Sequence, residues 1–130
     1  MKMRVRVAFV LCATAVSSFG QTPDWLRLAE TDDFRWDGRA GTLISTINKN
    51  GQDIFVASGR LFNKKTTAFS FEKWYATSAD CAQGAGKLIT TDMQGNYKSE
   101  TDFVDKGGSV ASALAETVCS VQKANAKKGI

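Results

Sequence analysis

Residues 106–123, KGGSVASALAETVCSVQK, decide the fold. Upstream, from Trp25 to Val104, the chain reads as short strands divided by turns, and in this stretch that pattern stops. Ser109 is a good helix N-cap, because its hydroxyl can accept a backbone N–H that the first helical turn leaves without a partner. After it Val110, Leu114, Val118 and Val121 recur at helical spacing, with Ala111, Ala115 and Cys119 beside them. One amphipathic helix, Val110–Lys123, therefore follows a strand-forming body. A helix with one apolar stripe and a sheet with an apolar face bury each other. The expected class is α+β: an antiparallel sheet of five or six short strands with a C-terminal helix packed on it and one disulfide.

Working back from the helix, Lys87–Asp92 and Gly95–Val104 pair across Met93-Gln94-Gly95, and Thr66–Thr77 (TTAFSFEKWYAT) is a β-branched and aromatic strand. Its two parities are Ala68, Ser70, Glu72, Trp74 and Phe69, Phe71, Lys73, Tyr75. Asn50-Gly51 divides Thr42–Lys49 from Gln52–Phe62, and Asn-Gly favours a two-residue type I′ turn. That turn would pair Ile47 with Ile54, Ser45 with Val56 and Leu43 with Ser58. Trp25–Glu30 and Asp33–Arg39 are weaker strand signals. Trp25 and Trp74 are expected in the core, while Trp36 and Tyr97 stand between core and surface.

The first twenty residues read as a signal peptide. Lys2, Arg4 and Arg6 form a positive start, Val7–Val16 is an uncharged apolar run, and Ser18 and Gly20 supply small residues before a cut ahead of Gln21. The run is too short to span a bilayer, and no later segment approaches the required length, so no transmembrane segment is expected after cleavage. Cys12 is no lipobox cysteine, since Leu11 precedes it. The 130-residue chain thus divides into a signal peptide at 1–20, a single α+β domain at 21–122 and a basic C-terminal tail at 123–130.

That division changes the composition. The whole chain carries 17 Lys+Arg against 13 Asp+Glu, but three of the basic residues lie in the leader and three more, Lys123, Lys127 and Lys128, in the tail. The body between them is slightly acidic, so nucleic-acid binding by a basic face has no compositional support. The chain contains no His. Its absence excludes Ser-His-Asp and Cys-His nucleophilic sites, imidazole acid–base catalysis and His-containing zinc sites.

Cys12 leaves with the leader, so Cys81 and Cys119 are the two cysteines of the exported chain and allow one intramolecular pairing. In the chain-entropy view a bridge closing a loop of that length contributes roughly 4 kcal/mol.

Other motifs fail on inspection. In Cys81-Ala-Gln-Gly84-Ala-Gly86-Lys87 the phosphate-loop pattern breaks at Cys81 and Leu88, and the dinucleotide fingerprint breaks at Ile89. Gln83–Lys87 reads instead as a flexible loop beside the disulfide. Ser70-Phe-Glu-Lys73 has the letters of S-x-x-K but lies in a strand, where the two side chains face opposite ways. The acidic groups Asp32-Asp33-Asp37 and Glu100, Asp102, Asp105 would serve carboxylate catalysis only if a cleft joined them. No cofactor and no metal site is expected.

A Trp soon after the leader, the strand-rich body, Asp80-Cys81 and the closing helix with Val118-Cys119 together resemble small exported bacterial proteins of the surface-adhesin protein E type. The resemblance spans residues 24–121 and departs at Gly107-Gly108-Ser109, where that family has a Pro-containing turn. It implies a short antiparallel sheet packed with helix, a bridge from the mid-chain to the C-terminal cysteine, and binding of host matrix or serum proteins. The expected function is an exported, non-enzymatic, adhesin-like binding module of the bacterial envelope, in the periplasm or at the surface, with a protein partner. Trp36, Tyr97 and Lys87 are the candidate binding surface. The alternative is a small periplasmic inhibitor that inserts Gln83–Lys87 into a hydrolase.

Overall fold

A computed structural model describes residues 24–128, so the leader assigned to 1–20 lies outside the described residues. The elements run β1 Trp25–Glu30, β2 Phe34–Arg39, β3 Ile44–Ile47, β4 Asp53–Asn63, β5 Ala68–Thr77, α1 Ser78–Gln83, β6 Ala85–Thr91, β7 Tyr97–Val104 and α2 Val110–Lys128. The strands form one seven-stranded antiparallel sheet, ordered β1-β2-β4-β5-β6-β7, with β3 paired to β4 off this path. Five or six strands were expected, and the sheet is six strands wide: β2 pairs with the Gly59–Asn63 half of β4 and β3 with its Asp53–Val56 half, end to end along one edge. Ser58 falls in the gap between them. Its N–H is taken by Thr42 Oγ1 at 3.1 Å, so the break leaves that half-buried donor satisfied.

The sheet has one covered face. Phe55, Ala57, Trp74, Ala76, Leu88 and Phe103 point to α2, whose Ala111, Leu114, Ala115 and Val118 complete the core. This is the stripe that the helical spacing predicts. Trp74 is fully buried, and its indole lies over Gly59, where any Cβ would overlap the ring. Gly59 is the partner of Gly38 across the β2–β4 ladder. Two residues without side chains thus leave room for Trp74 and for Leu28, which reaches the space above Gly38.

The α2 helix continues to Lys128, so most of the expected tail at 123–130 is helical.

The expected turn register is off by one residue. Ile44 pairs with Val56, Ser45 with Phe55, Thr46 with Ile54 and Ile47 with Asp53. The cause is Asn48, whose Oδ1 accepts the N–H of both Asn50 and Gln52 at 2.9 Å while Gly51 sits at φ +81. A side chain that caps its own turn favours a three-residue loop over the two-residue form. The β6–β7 hairpin repeats this chemistry with Asp92 and Gly95: Asp92 Oδ1 accepts from Gln94 and Asn96 at 2.9 Å, with Gly95 at φ +91.

Gln83–Lys87 is not a loop. Thr77 caps α1 through the N–H of Asp80 at 3.1 Å, Gly84 closes it in the left-handed conformation, and β6 begins at Ala85. Gly86 packs against the Asp80 carboxylate, which also accepts the N–H of Lys87 at 3.2 Å. Cys81 on α1 and Cys119 on α2 form the expected disulfide, 38 residues apart in sequence, with Cα atoms 5.4 Å apart.

Candidate functional site

The sheet face turned away from α2 carries an ordered row of arginines and aromatic rings. Strand alternation puts Arg35 and Asp37 of β2, Arg60 and Phe62 of β4, and Phe69 and Phe71 of β5 on this face. Cross-strand pairing then sets Asp37 opposite Arg60, Arg35 opposite Phe62, Arg60 opposite Phe71 and Phe62 opposite Phe69. From β1, Trp25 joins them beside Arg39.

Asp37 is the anchor of this row and is only 4% exposed. Its carboxylate accepts from Arg35 Nε and Nη2 and from Arg60 Nε, each at 3.0 Å. Burial by itself would raise the Asp37 carboxyl, but the hydrogen bonds and charges of the two guanidinium groups prevail and hold it below the usual carboxylate range. Two cations on one anion leave the group net positive.

The same bonds fix the guanidinium planes. Arg60 lies 4.1 Å from the ring centroid of Trp25 and 4.3 Å from that of Phe69, and Arg35 lies 4.8 Å from that of Phe62. The rings also meet each other, Phe62 with Phe69 at 4.7 Å and Trp25 with Phe71 at 6.2 Å. Phe69 and Phe71 remain 42% and 52% exposed. Long arginine side chains usually sample many rotamers, and here the bonds to Asp37 have already removed much of that freedom. Further along the same face, Ile44, Ile54, Val56 and Tyr75 line a groove of about 330 Å³.

The expected binding residues do not come together. Trp36 pairs with Leu61 and turns to the α2 side, where it packs against the core. Tyr97 and Lys87 are on the opposite face, at the β7 edge. Lys87 is held by Asp102 at 2.7 Å and Glu100 at 3.7 Å, and Tyr97 donates to Glu100 at 3.2 Å. The hydrogen bond to Asp102 and the charge of that group raise the Lys87 ammonium above its usual range. Lys87 is therefore already engaged by two carboxylates. Trp25, expected in the core, stands on the uncovered face instead, because α2 shields the other one.

The acidic groups are also kept apart. Asp37 on β2 and Glu100 and Asp102 on β7 are four strand spacings from each other, about 19 Å, beyond the reach of a catalytic carboxylate pair. Among the described residues no three His, Cys, Asp or Glu side chains gather into a metal-binding group, and no helix is long and apolar enough to cross a membrane.

The row of Trp25, Arg35, Asp37, Arg60, Phe62, Phe69 and Phe71 was missed in the sequence. Its signal was the second parity of Thr66–Thr77, where Phe69 and Phe71 alternate with residues that face Trp74's side. No family model, curated protein or solved structure matches the chain.

Proposed function

We propose that the chain is an exported, non-enzymatic binding module of the bacterial cell envelope, and that the uncovered sheet face docks a partner protein. One observation carries this reading: a patch in which Phe69 and Phe71 are exposed beside half-buried Trp25, Arg35 and Arg60, with both guanidinium groups locked in place by a buried aspartate. Trp and Arg are the residues most enriched at interface hot spots, aromatic residues as a class are enriched in interfaces, and preorganised side chains lose little entropy on docking. A solvent-facing aromatic cluster that adds nothing to the core is a feature of partner sites. The disulfide supports an oxidising location and the leader supports export. Adhesion to an envelope or host protein is the form of this reading that the resemblance to surface-adhesin protein E-type proteins implies.

Pull-down with the purified protein against envelope extracts and matrix proteins tests it, beside a variant carrying Phe69→Ser and Phe71→Ser. The expected result is a partner retained by the wild type and lost by a variant that keeps the wild-type circular dichroism spectrum. Equal retention by both, or retention by neither, counts against the proposal.

A further inference from the structure

On the other side of the sheet, β2, β4, β5, β6 and β7 and the start of α2 border an open cleft of about 400 Å³. Ligand sites commonly have volumes in this range, with a mostly apolar lining and a few placed polar groups. Trp36, Leu61, Leu88 and Leu114 supply the apolar wall, and Glu72 and Lys98 supply the charges.

Glu72 is the unusual member, with a side chain only 5% exposed. Its Oε1 accepts the indole N–H of Trp74 at 2.8 Å, which fixes the carboxylate against the base of the core. Its Oε2 faces Lys98 Nζ at 3.5 Å, the outer limit of a hydrogen bond. Lys98 is 44% exposed and belongs to the edge strand β7, so the counter-charge enters from solvent and along a long flexible stem. A desolvated carboxylate gains most from a cation in close contact and little from a distant, hydrated one. The cleft beside it is mostly apolar, with Thr90, Ser99 and Thr101 adding polar groups on the β6–β7 side, and has the volume of a small molecule.

We propose that this cleft binds a small primary amine with an apolar body, whose ammonium replaces Lys98 at Glu72. The apolar body covers Trp36, Leu61, Leu88 and Leu114, and the released Lys98 returns to water at the rim. Lys98 is in this view a removable stand-in for the ligand's own cation. The inference is independent of the partner-binding face, which lies across the sheet.

Titration of the purified protein with n-hexylammonium chloride, followed through the indole N–H resonances of Trp74 and Trp36, tests the proposal. Hexanol and sodium hexanoate are run alongside. A saturable shift with hexylammonium that neither control reproduces is expected. Glu72→Gln keeps an acceptor for Trp74 and should weaken hexylammonium at least about tenfold. Lys98→Met removes the competing cation and should tighten it by about fivefold. The proposal is overturned if hexanol or hexanoate binds as well, if none of the three binds, or if Lys98→Met leaves affinity unchanged or lowers it. Should Glu72→Gln fail to fold, Lys98→Met and the two control ligands still decide.

Discussion

Arg60 bonds to Asp37 across the β2–β4 ladder, Nε to Oδ2 at 3.0 Å, and this one contact holds a guanidinium between the rings of Trp25 and Phe69. Two properties of the sheet depend on it: the order of its uncovered face and part of its acid stability. Asp37→Asn should remove both. The variant leaves Arg35 and Arg60 without a counter-charge and should cost about 2 kcal/mol in urea unfolding at pH 7.

The pH dependence of that loss has a defined sign. The Asp37 carboxyl titrates lower in the folded protein than in the unfolded chain, where it titrates near pH 4. Its stabilisation is therefore complete above about pH 4 and fades as pH falls through the lower, folded value. The difference in stability between wild type and Asp37→Asn should narrow from pH 7 toward pH 2. A gap that stays constant across that range would contradict this account of the carboxylate.

Reduction of the Cys81–Cys119 bridge, or the double change to Ser, should lower unfolding free energy by about 4 kcal/mol, since it releases a 38-residue loop in the unfolded chain. Urea titrations with and without dithiothreitol measure it directly. Tris(2-carboxyethyl)phosphine added to the double Ser variant should then change nothing.

Gly59→Ala places a methyl group where the indole of Trp74 now lies, against the backbone of Asp37. Neither neighbour can retreat cheaply, because Trp74 is fully enclosed and Asp37 is tied into a ladder. A loss of about 3 kcal/mol is expected, together with a weakened near-ultraviolet tryptophan signal. Gly41→Ala is a useful contrast: a Cβ there meets nothing, so its cost is limited to the left-handed backbone at φ +83, about 1 kcal/mol.

Phe71→Ser alone should leave stability within about 0.5 kcal/mol of wild type, because the ring is more exposed than buried and lies outside the core beneath α2. A thermal scan checks it. A large loss of stability would mean that the aromatic row acts as a second small core and that its exposure is not reserved for a partner.

The parts of this fold legible in the sequence are those governed by neighbours a few residues apart. The α2 stripe follows from Val110, Leu114 and Val118, and the disulfide from Cys81 and Cys119 being the two cysteines beyond the segment that reads as a leader. The hairpin register was lost because the turn is decided by Asn48, two residues ahead of the Asn-Gly pair that drew attention, through a side-chain bond that composition does not display. The placement of Trp25 was lost for a different reason. Both parities of β5 carry aromatic rings, and which of them is covered depends on how a distant helix crosses the sheet. Trp36 and Tyr97 fall on opposite faces because of the register shift between Thr90 and Thr91 in the β6–β7 pair: by strand parity alone Tyr97 would share the α2 side with Ser99, Thr101 and Phe103, and the shift sets it opposite Thr91 instead. Within the candidate site, the sequence shows Asp37 only as a member of an acidic group, since its burial by Arg35 and Arg60 requires β2 and β4 to be aligned.

The bridge between α1 and α2 also sets how the molecule would carry mechanical load. Tension applied at the two ends of the chain would pass from Cys81 directly to Cys119 through the sulfur atoms, bypassing residues 82–118. β6, β7 and the first half of α2 would then bear no force along the backbone, and the oxidised chain could be drawn out only to a shorter contour length. A thiol reductant would release that hidden length, so a tethered molecule would lengthen under constant pull when its redox surroundings change.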